Sequence, residues 1–165
     1  MQQIALTLEP EHLRHPGLSP EDRESVSNAI RCLEARYLVT QDVMTSPDLV
    51  KDYFRLRMMD IPYEVFSVLF LDTRHRVLRY QELFRGTISS AAVHPREVAR
   101  IAIEVNAAAI LVGHNHPSGD PEPGHADMQL TENLKNALAL IDVRLLDHIV
   151  VGCEDAVSFA ERGIL

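Results

Sequence analysis

Residues 107–121, AAAILVGHNHPSGDP, form a short apolar run that ends in two histidines and a turn. An uninterrupted apolar run of this length is typical of a strand buried on both faces. Side chains alternate between the faces of a strand, so His114 and His116 point to one side and Asn115 to the other. Pro117 ends the strand because it has no N–H to donate. The stretch predicts a central strand that delivers two imidazoles to one point.

An acid completes a set of metal ligands. Asp127 follows His116 by eleven residues, beyond a loop rich in proline and glycine and at the predicted start of a helix. Two imidazoles and a carboxylate, with a fourth position left to water, are typical of catalytic rather than structural zinc sites. A lone histidine at a strand end is more often a packed or solvent-facing residue, but two in register before an acid are poorly explained by packing. We therefore predict a Zn²⁺ site at His114, His116 and Asp127.

The remaining sequence predicts helices and strands around this run. Serine followed by proline, with acids in the next turn, marks two helix starts, each with an apolar face behind it. The mixture of helices and strands implies an α/β sandwich with a mixed sheet. In chain order we predict helices from Ser19 and Ser46, strands over 65–71 and 77–87, a helix from His94, the strand before His116, a helix over 127–142, and short strands over 145–151 and 157–159.

Length and composition indicate one domain. A chain of 165 residues can bury a sizeable core. It shows no apolar stretch of membrane-spanning length and no signal-peptide pattern, so we expect a cytoplasmic protein without membrane contact. Cys32 and Cys153 lie in apolar-periodic segments and are expected to be buried thiols in a reducing compartment.

The formal net charge of −8 opposes attraction to nucleic-acid backbones. Six arginines between residues 55 and 85 could form a local basic patch, but a solvated strand and helix surface is the preferred interpretation. Direct nucleic-acid binding is therefore not expected. The sequence leaves a homodimer open.

The His-x-His-Pro run with an acid eleven residues later resembles the JAMM motif of the JAB/MPN metallohydrolases. Residues 94–123 and 145–152 (LLDHIVVG) are more closely similar to the RadC-like branch of that family, and the similarity runs from about Glu64 to the C-terminus. The resemblance implies a JAB/MPN-like, cytidine-deaminase-like three-layer sandwich, with a mixed central sheet flanked by helices and zinc at its edge. Longer RadC proteins carry a helix-hairpin-helix segment that the first sixty residues lack, which suggests a short, single-domain bacterial form.

These observations divide the chain into an irregular arm over 1–18, a helical segment over 19–62 and the RadC-like domain over 63–165. In the family, a glutamate on the strand before the histidine loop acts as general base, and Glu64 matches that position. The residues alone also offer Glu82 and Glu104. Glu104 lies on a predicted helix, whereas spacing cannot eliminate Glu82.

The sequence departs from the family motif at Gly124, where the family has a serine that helps to bind the oxyanion. Glycine is a tolerable helix N-cap, but one lost oxyanion donor can lower turnover by about a hundredfold to a thousandfold. His125 could supply a substitute donor, although a histidine beside a ligand loop is more commonly a surface residue. Ser118 is a second candidate supporting group, although its ordinary role would be to form the turn. His148 either packs or contacts a ligand from behind.

Three functions follow from these residues. The leading one is a zinc metallohydrolase, such as a metalloprotease, acting on a peptide, protein or other amide substrate. The second is a zinc-binding scaffold with little or no activity, which Gly124 favours. The third is a DNA-repair-associated factor, against which the acidic charge and the missing DNA-binding module argue.

Overall fold

The computed structural model describes residues 18–39, 46–86 and 93–165 of the chain. The arm predicted for residues 1–18 lies outside the described residues except for Leu18, as does Thr87 at the predicted end of the second strand. In chain order the elements are α1 (Pro20–Glu34, continued by a π-helical turn over Ala35–Val39), α2 (Pro47–Met58), β1 (Val65–Leu71), β2 (Val77–Arg85), α3 (Pro95–Glu104), β3 (Ala109–Asn115), α4 (His125–Ala139), β4 (Arg144–Val151) and β5 (Ala156–Ser158).

The strands form one mixed sheet in the order β2-β1-β3-β4-β5. β3 is its central strand, antiparallel to β1 and parallel to β4. A parallel pair needs a crossover connection, which α4 supplies between β3 and β4. β3 is buried along its whole length, and this explains why its sequence is a continuous apolar run rather than an alternating one.

Helices cover both faces of the sheet, so the domain has three layers. We call the side covered by α2 the α2 face and the opposite side the α3–α4 face. On the α2 face the buried core includes Tyr53, Phe54, Met58, Leu69, Leu111 and Ile149. On the α3–α4 face it includes Phe66, Val68, Ile101, Val112, Leu134 and Leu138. The predicted α/β sandwich with a mixed sheet and flanking helices is confirmed.

The local signals that begin each helix explain most of the element bounds. Ser19 accepts a hydrogen bond at the start of α1, and Pro20 occupies the first helical position. β1 spans the residues that its apolar and β-branched sequence predicts. α4 begins at His125 rather than at the predicted Asp127, because Gly124 is its N-cap.

Both cysteines are exposed, so the expectation of buried thiols is wrong. Cys32 lies on α1, which buries none of its residues, and its neighbours Ile30 and Leu33 are only half-buried. Cys153 lies in the turn between β4 and β5, where its N–H donates to Gly119 O at 2.9 Å. Apolar periodicity predicted the helix that carries Cys32, but not how shallowly that helix is buried.

Two arginines of the predicted cluster between residues 55 and 85 contact neighbouring elements. Arg79 of β2 lies 3.0 Å from Glu104 of α3, and the guanidinium of Arg57 lies 4.4 Å from the ring centroid of Tyr80.

In the part of the chain that the structure describes, no helix is long and apolar enough to cross a membrane.

Gly113 allows α2 to approach β3 closely. A Cβ at this position would lie 2.5 Å from Cδ1 of Phe54, whose side chain is fully buried. Gly113→Ala should therefore lower the free energy of unfolding, measured by urea denaturation, by about 1–3 kcal/mol, the usual cost of overpacking a core. In a Phe54→Leu background the same substitution should cost less, because the obstructing ring is gone. A loss below about 0.5 kcal/mol in the wild-type background would contradict the close approach.

Candidate metal centre

The C-terminal end of β3 presents His114 to the α3–α4 face. His114 pairs with Phe66 of β1 and with Val150 of β4, so both neighbouring strands fix its position, and it is 2% exposed. His116 lies one residue beyond the strand, where its N–H donates to Val151 O at 2.8 Å. That bond keeps the chain extended beyond the strand, and both imidazoles lie on the same face.

A short loop returns the chain from β3 to the histidines. The N–H of Gly119 donates to His116 O at 2.9 Å, and Gly119 has a φ of 91°, which glycine adopts without strain. At the start of α4 the carboxylate Oδ2 of Asp127 accepts a hydrogen bond from the N–H of Gly124 at 2.8 Å. This cap holds the carboxylate at the helix N-terminus, next to the two imidazoles.

The three side chains meet with the spacing of a metal site. Nε2 of His114 lies 3.0 Å from Nε2 of His116 and 3.2 Å from Oδ1 of Asp127. Nε2 of His116 lies 3.5 Å from Oδ2 of Asp127. Donors at about 2.0–2.1 Å from a tetrahedral zinc ion are about 3.3 Å apart. The group therefore fits one Zn²⁺ ion with little movement.

The chemistry of the donors also favours a cation. Nδ1 of His116 lies 2.8 Å from Asp120 O, and because a carbonyl oxygen only accepts, this nitrogen carries the proton. In the neutral ring, Nε2 of His116 is then a lone pair that faces the other ligand atoms.

The electrostatics of the site also favour the binding of a cation. Partial burial alone would raise the pKa of Asp127, but the imidazoles of His114 and His116, which donate to its carboxylate when they are protonated, hold that pKa well below its usual range. In the protonated ring of His116 a hydrogen bond to Asp127 stabilises the charge, and this raises the pKa of His116 against the effect of its own burial. The site thus attracts positive charge, whether as a proton or as a metal ion.

A third histidine, His148, connects His114 to β4 and α4. Nδ1 of His114 lies 2.8 Å from Nε2 of His148, and Nδ1 of His148 lies 2.6 Å from Oγ1 of Thr131. Burial, and then the nearby His114, lower the pKa of His148 well below its usual value, and its ring stacks on Phe159 with centroids 4.7 Å apart. His148 therefore both packs in the core and contacts a candidate ligand from behind.

Glu64 precedes β1 on the side of the metal ligands. The register pairs Phe66 with His114, and alternation puts Glu64, two residues earlier, on the same face and towards His116. After Asp127, the charge of Glu64 also raises the pKa of His116. Glu64 is half-buried.

The two competing glutamates lie elsewhere. Glu82 of β2 pairs with Ser67, one residue out of phase with Phe66, and therefore belongs to the α2 face. Glu104 is exposed on α3 and is engaged by Arg79 at 3.0 Å. Spacing along the chain could not separate Glu82 from Glu64, but the pairing of the strands does.

Asn115 is a candidate functional residue that sequence reasoning missed. Its buried side chain points to the α2 face, where Oδ1 accepts from the N–H of Val65 at 2.7 Å. Nδ2 donates to Tyr63 O at 2.9 Å and to a second carbonyl oxygen. These bonds replace the β1–β3 backbone ladder where Glu64 lies, and the N–H of Gly86 donates to Glu64 O at 2.8 Å from the other side. An asparagine between the histidines was the available signal, but its partners are distant in sequence.

The structure places the three residues considered as oxyanion or supporting groups as follows. Gly124 has a φ of −81° and a ψ of 171°, which any residue can adopt, and a Cβ there would lie 3.4 Å from Oδ2 of Asp127. His125 is the exposed first residue of α4, and Ser118 is an exposed loop residue. A serine would therefore fit at position 124 without strain.

A cleft of about 130 Å³ opens beside His116. Its walls come from the end of α2, the segment before β1 and the turn after β4. The lining residues include Met58, Met59, Ile61, Pro62, Pro117 and Cys153. The walls are both polar and apolar, with Asn115 and His116 among them, so the cleft borders the metal-ligand group at His116 from the side of α2.

Fold and site together define a three-layer α/β domain with a His/His/Asp group, suited to a metal ion, at the end of its central strand. A family model for the RadC-like JAB domain matches residues 44–164. A UPF0758 protein of Shewanella baltica is 52% identical over 153 residues, which cover 91% of this chain and 68% of that relative. A UPF0758 protein of Shewanella oneidensis is 49% identical over 164 residues, which cover 96% and 73%. The chain therefore belongs to the RadC family of JAB domains.

Family membership confirms the resemblance that the histidine loop and residues 145–152 suggested. The match begins at residue 44 and so includes α2, which buries four residues and packs on β3, β4 and β5. The boundary proposed between residues 62 and 63 falls between α2 and β1, two elements that share one core.

Removal of one imidazole should separate metal binding from folding. His116→Ala should lower zinc affinity by more than about a hundredfold, because losing a ligand costs more than weakening a group behind one. The measurement is a competition titration with a chromogenic chelator, with far-UV circular dichroism to verify folding. His125→Ala is the matched control, since His125 is an exposed histidine outside the ligand group. Equal affinities in wild type and His116→Ala would disprove the assignment.

Proposed function

We propose that this protein is a zinc-dependent hydrolase of amide or isopeptide bonds, with Zn²⁺ held by His114, His116 and Asp127 and with Glu64 as general base. The observation that carries the proposal is the convergence of three ligand atoms within 4.8 Å of one another on the face to which Glu64 belongs. Membership of the RadC-like JAB family supports it. The expected substrate is a peptide, protein or other amide.

The residues of the chain divide the chemistry between them. Bound zinc would act as a Lewis acid that lowers the pKa of water and polarises a carbonyl group. Glu64 accepts a proton from the attacking water and returns it to the leaving amine nitrogen. Asn115 and Gly86 hold the backbone around Glu64, so the segment that carries the base is fixed before the substrate arrives. The cleft beside His116 would receive part of the substrate.

Gly124 favours a second candidate, a metal-binding domain that performs little hydrolysis. The backbone N–H of Gly124 is already occupied by Asp127 at 2.8 Å, and a glycine offers no hydroxyl to a developing oxyanion. Loss of one such donor slows acyl-group hydrolysis by about two to three orders of magnitude. The metal ligands are unaffected by this loss, so metal binding and catalysis are separable.

Replacing the proposed base should abolish hydrolysis and spare the metal. Glu64→Gln keeps the size of the side chain but removes its basicity, so turnover of a peptide or isopeptide substrate should fall by at least about a hundredfold. Zinc content, measured by elemental analysis, should stay at the wild-type value. Glu82→Gln is the matched control and should leave both quantities unchanged. Loss of zinc from Glu64→Gln would make Glu64 a ligand instead.

Restoring a hydroxyl at the start of α4 should distinguish the hydrolase from the inactive domain. Gly124→Ser should stabilise the helix start by a few tenths of a kcal/mol, about the difference between these N-caps, and leave zinc affinity unchanged. For any amide substrate that the wild type turns over, the rate should rise by up to about two or three orders of magnitude. An unchanged rate would mean that another donor already binds the oxyanion. Zinc binding with no hydrolysis in either form would favour the inactive domain.

A further inference from the structure

The hydrogen-bonded chain behind His114 has a fixed direction. Oγ1 of Thr131 lies 2.6 Å from Asp127 O and 2.6 Å from Nδ1 of His148. Because a carbonyl oxygen only accepts, Thr131 uses its single hydroxyl proton on Asp127 O. Nδ1 of His148 must therefore carry a proton and donate it to Thr131.

The direction of hydrogen-bond donation also fixes the protons of His148 and of the candidate ligand His114. His148 is completely buried and packs against the rings of Phe66 and Phe159, surroundings that favour a neutral imidazole. With its proton on Nδ1, a neutral His148 can only accept at Nε2. That nitrogen lies 2.8 Å from Nδ1 of His114, which must donate. Nε2 of His114 is thereby left as a lone pair that faces His116 and Asp127.

We propose that His148 and Thr131 are positioning residues that hold His114 in the tautomer required of a metal ligand before any metal arrives. The inference rests on the proposed metal site, but not on hydrolysis. One hydroxyl proton sets the tautomers of two histidines. The same hydroxyl also ties α4, which carries Asp127, to β4, so ligands from two elements share one support.

The opposite arrangement becomes available when the hydroxyl is absent. A His148 without a partner at Nδ1 can carry its proton on Nε2 and donate it to Nδ1 of His114. The proton of a neutral His114 then lies on Nε2, which is the atom that faces Asp127. A metal ion must displace that proton before it can bind, and this weakens its affinity.

Thr131→Val tests this proposal because it removes the hydroxyl and keeps the shape of the side chain. The tautomers are read from long-range ¹H–¹⁵N NMR correlations of the metal-free protein at about pH 8.5, above the ordinary imidazole pKa of about 6.5. The wild type should show protons on Nδ1 of both His114 and His148. Thr131→Val should move them to Nε2 and lower zinc affinity by about 10–100-fold, and Thr131→Ser should restore both properties.

Ser158→Ala is the control for a merely structural role. Ser158 is also a buried hydroxyl, and it donates to Asp147, the neighbour of His148 on β4. Alternation along β4 puts Asp147 on the opposite face of the sheet from His148. Ser158→Ala should therefore lower stability without changing the histidine tautomers or the zinc affinity.

Two results would overturn the proposal. A wild-type spectrum with the proton on Nε2 of His114 does so even if Thr131→Val fails to fold. Unchanged zinc affinity in a folded Thr131→Val protein does so as well. If the wild type itself binds no zinc, the proposed function fails instead, while the tautomers of the metal-free protein still decide whether Thr131 and His148 position His114.

Discussion

The alternation of side chains at the end of β3 is the constraint on which the centre depends. The side chains of three successive residues alternate between the two faces of the sheet, and the two faces have different roles. His114 and His116 face α4, which brings Asp127 to them. Asn115 faces α2 and takes over hydrogen bonds that the backbone of β1 would otherwise make. The ligands and the support for the proposed base therefore come from one strand end, and a change in its direction would disturb both.

Burying polar groups in this part of the core costs free energy unless each forms a hydrogen bond. His114 and His148 are 2% and 0% exposed, and each uses both ring nitrogens in contacts of about hydrogen-bond length. The carboxylate of Asp127 supplies the negative charge that balances a cation bound between the imidazoles. Burial thus strengthens the electrostatics of the site, because few water molecules can screen these contacts.

The sequence was most informative where a local signal and the tertiary structure agree. β1 and β3 were predictable because a strand buried on both faces must be apolar throughout, and the His/His/Asp group because strand alternation and a helix start bring its members together. Cys32 was misjudged because helical periodicity does not report how closely a helix approaches the sheet. Glu82 could not be set aside until strand pairing assigned it to the α2 face. Asn115 and Thr131 act through residues far along the chain, so no local pattern identifies them.

The period of two in β3 also makes the centre sensitive to strand register. If β3 paired with β1 one residue out of place, its histidines would turn towards α2 and Asn115 towards α4. Such a misfolded chain would still bury an apolar strand, so hydrophobic burial alone distinguishes it poorly from the native one. It would, however, lose the three hydrogen bonds of Asn115 and leave the imidazoles without Asp127 and His148. The polar end of an apolar strand thus selects the correct pairing during folding, and a metal ion that binds only this pairing would deepen the preference.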